Sequence, residues 1–190
     1  MINKIKTEKT AVRYEPSTGS LSGGEIVTSV KYLRQLNGTF SDREAFEAMD
    51  PETVVYRVES HFPVSEGTEG GLFFGTSYIM PGRVGNEYFM TKGHYHRKAD
   101  RAEYYWGISG EGMLLLWGPD GTCRAEKVEP GSLHYIPGMT AHRLVNTGND
   151  LLAVGACWPS DAGHDYGSIE EKGFPVYVVC RRGKPEIIEK

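Results

Sequence analysis

The stretch Thr91–Glu103, T-K-G-H-Y-H-R-K-A-D-R-A-E, decides how the rest of this chain is read. His94 and His96 stand two apart, so on a β-strand both imidazoles leave the same face of the sheet. Glu103 comes seven residues after His96, far enough to be reached after a bend into the next strand. His142, in A-H-R-L-V-N after a Gly/Pro turn, offers a further imidazole. A solitary H-x-H is commonly a chance pair of half-exposed histidines. The carboxylate, the later histidine and the β-rich setting favour a divalent-metal site of His94, His96, Glu103 and His142.

On both sides of this stretch the chain is a series of short β-prone runs separated by turn residues. Runs 53–62, 71–80 and 87–91 precede the histidines; 102–108, 112–117, 123–128, 132–137, 141–146, 151–158, 174–181 and 185–189 follow them. Ser109–Gly112 reads as a hairpin turn and Pro119–Thr122 as another strong turn. With 24 glycines and 10 prolines, this pattern predicts an all-β protein, a closed antiparallel barrel or jelly roll. The barrel takes residues 51–190, and residues 1–50 form an N-terminal arm and short helix of the same domain. Within the arm, S-T-G-S-L-S-G-G (17–24) reads as a flexible loop and V-K-Y-L (30–33) is too short to classify. S-D-R-E (41–44) has capping-box spacing and opens a helix from Ser41 to about Met49, stopped by Asp50 and Pro51.

A chain of 190 residues, 39% hydrophobic with 21 aromatic residues (3 Trp, 11 Tyr, 7 Phe), is long enough to bury a core in one domain. Lys plus Arg number 21 against 25 Asp plus Glu, a net charge of −4, which argues against a nucleic-acid partner. The first ten residues lack the apolar core of a signal peptide, and no apolar run reaches the length of a membrane span. Cys123, Cys157 and Cys180 are odd in number and form no C-x-x-C pair, so they read as reduced thiols of a cytoplasmic protein.

The spacings also resemble a known family. Six residues separate His96 from Glu103 and six more separate Glu103 from Gly110; Gly131, Pro137, His142 and Asn146 are separated by five, four and three. These groups resemble the two metal-binding motifs of the cupins, double-stranded β-helix (jelly-roll) barrels with a site of three histidines and one glutamate. Two glycines usual in the motifs are replaced, by Tyr88 and by Met139, neither at a ligand position. G-L-F-F-G-T (71–76), F-M-T-K-G-H-Y-H (89–96) and D-A-G-H-D-Y-G (161–167) resemble the archaeal-type glucose-6-phosphate isomerases, from about residue 50 to the C-terminus. That resemblance implies a metal-dependent aldose–ketose isomerase acting on glucose 6-phosphate and fructose 6-phosphate. It implies that Thr91 and Gly93 bind the phosphate, with a hydroxyl residue near Ser77, and that His164 belongs to the active site with Tyr166 nearby. The position six before His164, usually tyrosine in the family, is Trp158, whose indole can only donate a hydrogen bond.

Residue chemistry sets what such a site can do. Three neutral imidazoles and a carboxylate suit one divalent transition metal per chain and disfavour Mg²⁺ and Ca²⁺, which prefer oxygen. The set does not separate Fe²⁺, Mn²⁺, Ni²⁺ and Zn²⁺; Fe²⁺ is favoured. Strand parity puts Tyr105 on the face of Glu103, its hydroxyl available to a substrate oxygen. Glu103 and His164 are the candidates to carry a proton in an enediol mechanism, and a hydride shift needs no base. The same alternation would turn Thr91 away from His94, so the chain must bulge or bend around Lys92 and Gly93. Two other functions fit the same ligands, a cupin dioxygenase or decarboxylase and a non-enzymatic sugar-binding cupin. Because the arm has little core of its own, a homodimer with the arm crossing between barrels is expected.

Overall fold

A computed structural model describes residues 6–190, apart from the side chains of Glu170 and Lys172, so the first five residues of the expected arm lie outside the described residues. The strands are β1 Arg13–Tyr14, β2 Leu21–Ser22, β3 Val27–Tyr32, β4 Val54–His61, β5 Leu72–Ile79, β6 Arg83–Val84, β7 Glu87–Tyr88, β8 Tyr95–His96 and β9 Glu103–Ser109. They continue as β10 Gly112–Trp117, β11 Cys123–Val128, β12 Leu133–Ile136, β13 Ala141–Asn146, β14 Leu152–Pro159, β15 His164–Asp165, β16 Val176–Arg181 and β17 Lys184–Glu189. Two short helices, α1 Arg43–Ala48 and α2 Gly167–Lys172, interrupt them. A six-stranded sheet in the order β12-β9-β14-β5-β4-β3 packs against a three-stranded sheet β11-β10-β13, and smaller sheets β17-β16-β7-β6 and β15-β8 help close the barrel. Every strand pairing is antiparallel. This is the jelly roll that the spacing of short strands predicts.

Side-chain alternation does the sorting. β9 buries Glu103 and Tyr105 and exposes Tyr104; β12 buries His134 and Ile136 and exposes Leu133 and Tyr135. β13 has both faces covered and is buried along its whole length. The apolar core includes Leu114, Leu116, Leu144, Val145 and Leu152, and it reaches the site, where Leu116 pairs with His142 and Leu144 lines the cavity.

Three readings are revised. Val30–Tyr32 of V-K-Y-L belong to β3, which pairs with β4 along its length as an edge strand, and Leu33 opens a 3-10 turn; a single strand is recognisable only once its partner is present. Ser41 does not cap α1: Asp42 does, its carboxylate accepting from Ala45 N at 2.9 Å. Ser41 is drawn off by buried Glu87, which accepts from its N–H (2.8 Å) and its hydroxyl (2.9 Å). Run 87–91 is a strand only over Glu87–Tyr88, because the chain beyond it bulges. Within one chain the arm packs on the barrel: Thr76 Oγ1 donates to Gly19 O (2.7 Å), Trp106 Nε1 donates to the Tyr14 hydroxyl (3.1 Å), and Tyr14 stands edge-on to Phe74.

Candidate active site

The bend between β7 and β8 builds the site. Met90 lies opposite Val145 and His94 opposite His142, so residues 91–93 face only residues 143–144: one extra residue, a β-bulge. Gly93 takes φ +77 there, and a Cβ at that position would meet the Phe174 ring at 2.7 Å, so only glycine fits. The bulge reverses the alternation and brings Thr91 and Gly93 to the wall of the same cavity as His94.

His94, His96, Glu103 and His142 converge so that one ligand atom from each lies within 4.8 Å of all the others. That is a few tenths of an ångström more than the ~4.4 Å spanned by opposite ligands about 2.2 Å from a metal. β8 carries His96, β9 carries Glu103 and β13 carries His142, while His94 is bonded to His142 through both backbone groups (3.1 and 3.3 Å). His96 Nδ1 donates to Arg101 O (2.7 Å) and His142 Nδ1 to Thr140 O (3.3 Å), which turns both Nε2 lone pairs toward the centre.

The donor set fits a cation. His142 Nε2 is buried 2.6 Å from Glu103 Oε1, yet it is misaligned for a hydrogen bond and has no other partner. Two acceptors this close and this poorly bonded to each other point at a third body between them. Burial, with crowding by His142, His164 and His96, holds His94 well below the usual imidazole range, so it stays neutral and free to ligate. Burial alone would raise Glu103, but the imidazoles of His142 and His96 bring it down to about 2. His96, which burial would lower, is held above its ordinary value by the Glu103 carboxylate (3.2 Å) and the Arg101 carbonyl. The proton held between them is one that a bound cation displaces.

Above this group lies a cavity of about 370 Å³, within the range of small-molecule sites. His94, Glu103, His142, Tyr105, Ser77, Thr91, Gly93, Trp158, His164 and Tyr166 all line it; His96 sits just beneath. Tyr105 stands edge-on to His142 at 5.6 Å, and burial together with Glu103 pushes its hydroxyl well above the usual range, so it remains a donor. His164 occupies β15, opposite His96 on β8, with its ring 4.4 Å from His94 and stacked 5.7 Å from Tyr166. Its nitrogens lie outside the group of four. Burial against the barrel is the first cause that lowers its pKa. Trp158 forms an apolar wall, edge-on to Phe73 at 5.9 Å. His61 and His134 lie elsewhere, His134 fully bonded to Glu126 (2.7 Å) and Ser132 (2.8 Å).

Tyr56, Val58 and Ser60 on β4 also line the cavity, and reading the sequence alone passed over them. Their even-numbered alternation was visible, but T-V-V-Y-R-V-E-S has apolar residues on both faces, so the inward face could not be chosen.

An antiparallel jelly roll with three imidazoles and one carboxylate converging from its inner face defines a cupin with a metal-type site. The chain belongs to the glucose-6-phosphate isomerase family, whose profile, described as Glucose-6-phosphate isomerase (GPI), matches residues 30–188. It is 43% identical over 179 residues to the glucose-6-phosphate isomerase of Thermococcus onnurineus (strain NA1), covering 94% of this chain and 93% of that one. It is 39% identical over 184 residues to that of Pyrococcus abyssi (strain GE5 / Orsay), covering 96% and 95%. Among solved structures, an oxalate decarboxylase of Bacillus subtilis overlaps 64% of this chain and 30% of its own at 19% identity and a TM-score of 0.47, too loosely to bear on activity.

Proposed function

We propose that this protein is a metal-dependent aldose–ketose isomerase interconverting glucose 6-phosphate and fructose 6-phosphate. The observation that carries the reading is the coincidence of family membership over residues 30–188 with a four-ligand group at the floor of a 370 Å³ cavity. His94, His96, Glu103 and His142 would hold one divalent transition ion, Fe²⁺ for preference. When bound, the ion supplies Lewis-acid stabilisation of negative charge on the substrate's oxygens.

The chain's own residues divide the remaining work. Leu144 N donates to Thr91 Oγ1 (3.0 Å), which leaves the threonine hydroxyl proton for an anion. Thr91, Gly93 and Ser77 take the phosphate, placing the C1–C2 end over the histidines. Trp158 packs against the sugar where a phenol would have bonded it, so substrate orientation falls to Tyr105, whose hydroxyl stays protonated, and to Tyr166. Glu103, engaged by two imidazoles, serves as a ligand. His164, with its lowered pKa and a free ring edge, accepts and returns the proton that ring opening and C1–C2 isomerisation require.

Two finer points belong to the same reading. The outer face of the six-stranded sheet shows Leu133, Tyr104, Tyr135 and Leu72, with Leu133 68% exposed and the two tyrosine rings 5.3 Å apart, and this surface supports a homodimer. Three free thiols fit the reducing cytoplasm; among the described residues no helix is long and apolar enough to cross a membrane. The test is a coupled isomerase assay on protein stripped of metal and reconstituted with Fe²⁺, Mn²⁺, Ni²⁺ or Zn²⁺ in turn. Turnover is expected with at least one ion, and absence of turnover with all four rejects the reading.

A further inference from the structure

The active-site bulge is held from behind by a buried cation. Arg143 follows the ligand His142 and, by alternation, points away from the cavity, yet it is only 4% exposed. Its guanidinium lies over the Phe174 ring at 4.3 Å, and Nη2 donates to Lys92 O at 2.6 Å. Its Nε is buried with no hydrogen-bond partner, and among the described residues no carboxylate comes within 4.0 Å of it. The opposing charge that acts on it most is Glu87, whose Oε2 accepts from Ser41 and whose Oε1 is buried without a hydrogen-bond partner. On the cavity side, Tyr56 lines the same wall as Thr91 and Gly93. The carbonyl at the centre of the bulge is thus held from behind, between the Thr91 hydroxyl and Gly93.

A buried guanidinium without an ion pair is costly to keep. It is retained more readily where an anion arrives to balance it. The peptide bonded to Arg143 is polarised by that bond, and the adjoining hydroxyl and backbone face the cavity.

We propose that Arg143 is a positioning residue for the phosphate end of the substrate: it fixes the Thr91–Gly93 bulge and supplies positive charge behind it, and so sets affinity for phosphorylated sugars without taking part in isomerisation. This rests on the reading that the bulge is the phosphate site. It assigns Arg143 to binding and separates it from its neighbour His142, which belongs to the metal group.

The test uses metal-loaded enzyme with the single substitutions Arg143→Met, Arg143→Lys and Thr91→Val. For each, kcat, KM for both sugar phosphates, the inhibition constant of inorganic phosphate, and bound metal per chain are measured. Arg143→Met is expected to raise KM and the phosphate inhibition constant at least tenfold, with kcat within threefold and metal content unchanged. Arg143→Lys keeps the charge but not the fork, and is expected to fall between, with at least a threefold rise in the inhibition constant. If Arg143→Met does not fold, the lysine variant carries the test. An unchanged inhibition constant in a folded Arg143 variant, while Thr91→Val raises it, overturns the role of Arg143 alone. An unchanged constant in all three rejects the bulge as the phosphate site, and the proposal with it. Loss of metal together with kcat in Arg143→Met would show that the residue acts through His142, which also overturns the proposal.

Discussion

His164→Ala separates metal binding from proton transfer, and the structure sets its size. The His164 ring stands 4.4 Å from His94 but outside the four-ligand group, so its removal takes nothing from the metal. General acid–base groups contribute roughly 10²–10⁴-fold to rate, which at about 1.4 kcal/mol per tenfold is about 3–5 kcal/mol of transition-state stabilisation. The same truncation strips Tyr166 of its stacked neighbour at 5.7 Å. An aromatic contact of that kind is worth about 0.5–1.5 kcal/mol, so KM should rise by about tenfold at most. The side chain sits on the exposed edge of a two-residue strand, so the fold loses little. The expected profile is kcat down by two to four orders of magnitude, a small rise in KM, full metal content by elemental analysis, and an unchanged melting temperature. His164→Gln, which keeps hydrogen bonding but cannot carry the proton, should match His164→Ala in kcat. Metal release by His164→Ala would mean that the fourth ligand is misassigned. Full kcat would reduce His164 to solvated surface.

Other outcomes follow from the same geometry. His142→Ala and His96→Ala should each lose most of the bound metal and the activity together; full metal retention in either refutes the ligand set. Chelation of the metal-loaded enzyme should lower its stability, by about 2.7 kcal/mol if free metal stood at a hundred times its dissociation constant, read as a fall in melting temperature that added metal reverses. Met139 sits at φ +61 where the cupin pattern has glycine, and its side chain is 58% exposed. Met139→Gly should therefore stabilise the fold by about 0.5–1 kcal/mol, and a lower midpoint in denaturant would contradict that account. Asp161 accepts from Lys98 (2.7 Å) and from Arg101 Nε (3.0 Å) and Nη2 (2.8 Å), and these hydrogen bonds, Arg101 first, hold its carboxyl below the usual range. Its stabilising contribution is complete above the unfolded value of about 3.9 and is lost as pH falls through the lower folded value. The melting temperature of the wild type should drop more steeply below pH ~4 than that of Asp161→Asn, and parallel curves would show that the clamp adds nothing. Light scattering should find a dimer at micromolar concentration; a species of 21.1 kDa would refute it.

Local chemistry carried much of this protein in its sequence. Period-two alternation around Glu103 and Tyr105 gave their common face, because that period belongs to the extended chain itself. The H-x-H pair, the turns at Ser109–Gly112 and Pro119–Thr122, and the spacing from His142 to Asn146 are likewise short-range, and they sufficed for a jelly roll with a metal-type group. What distance in the chain separates, only the tertiary structure decided. The His94–His142 pairing and the extra residue between Met90 and His94 exist only when β13 lies alongside, and they alone turn Thr91 toward the cavity. Glu87 takes Ser41 away from the helix it would have capped, since a buried carboxylate must find donors wherever the fold offers them. In A-H-R-L-V-N nothing local marks the arginine as buried. It is buried because Phe174 and the Lys92 peptide, both remote in sequence, close over it.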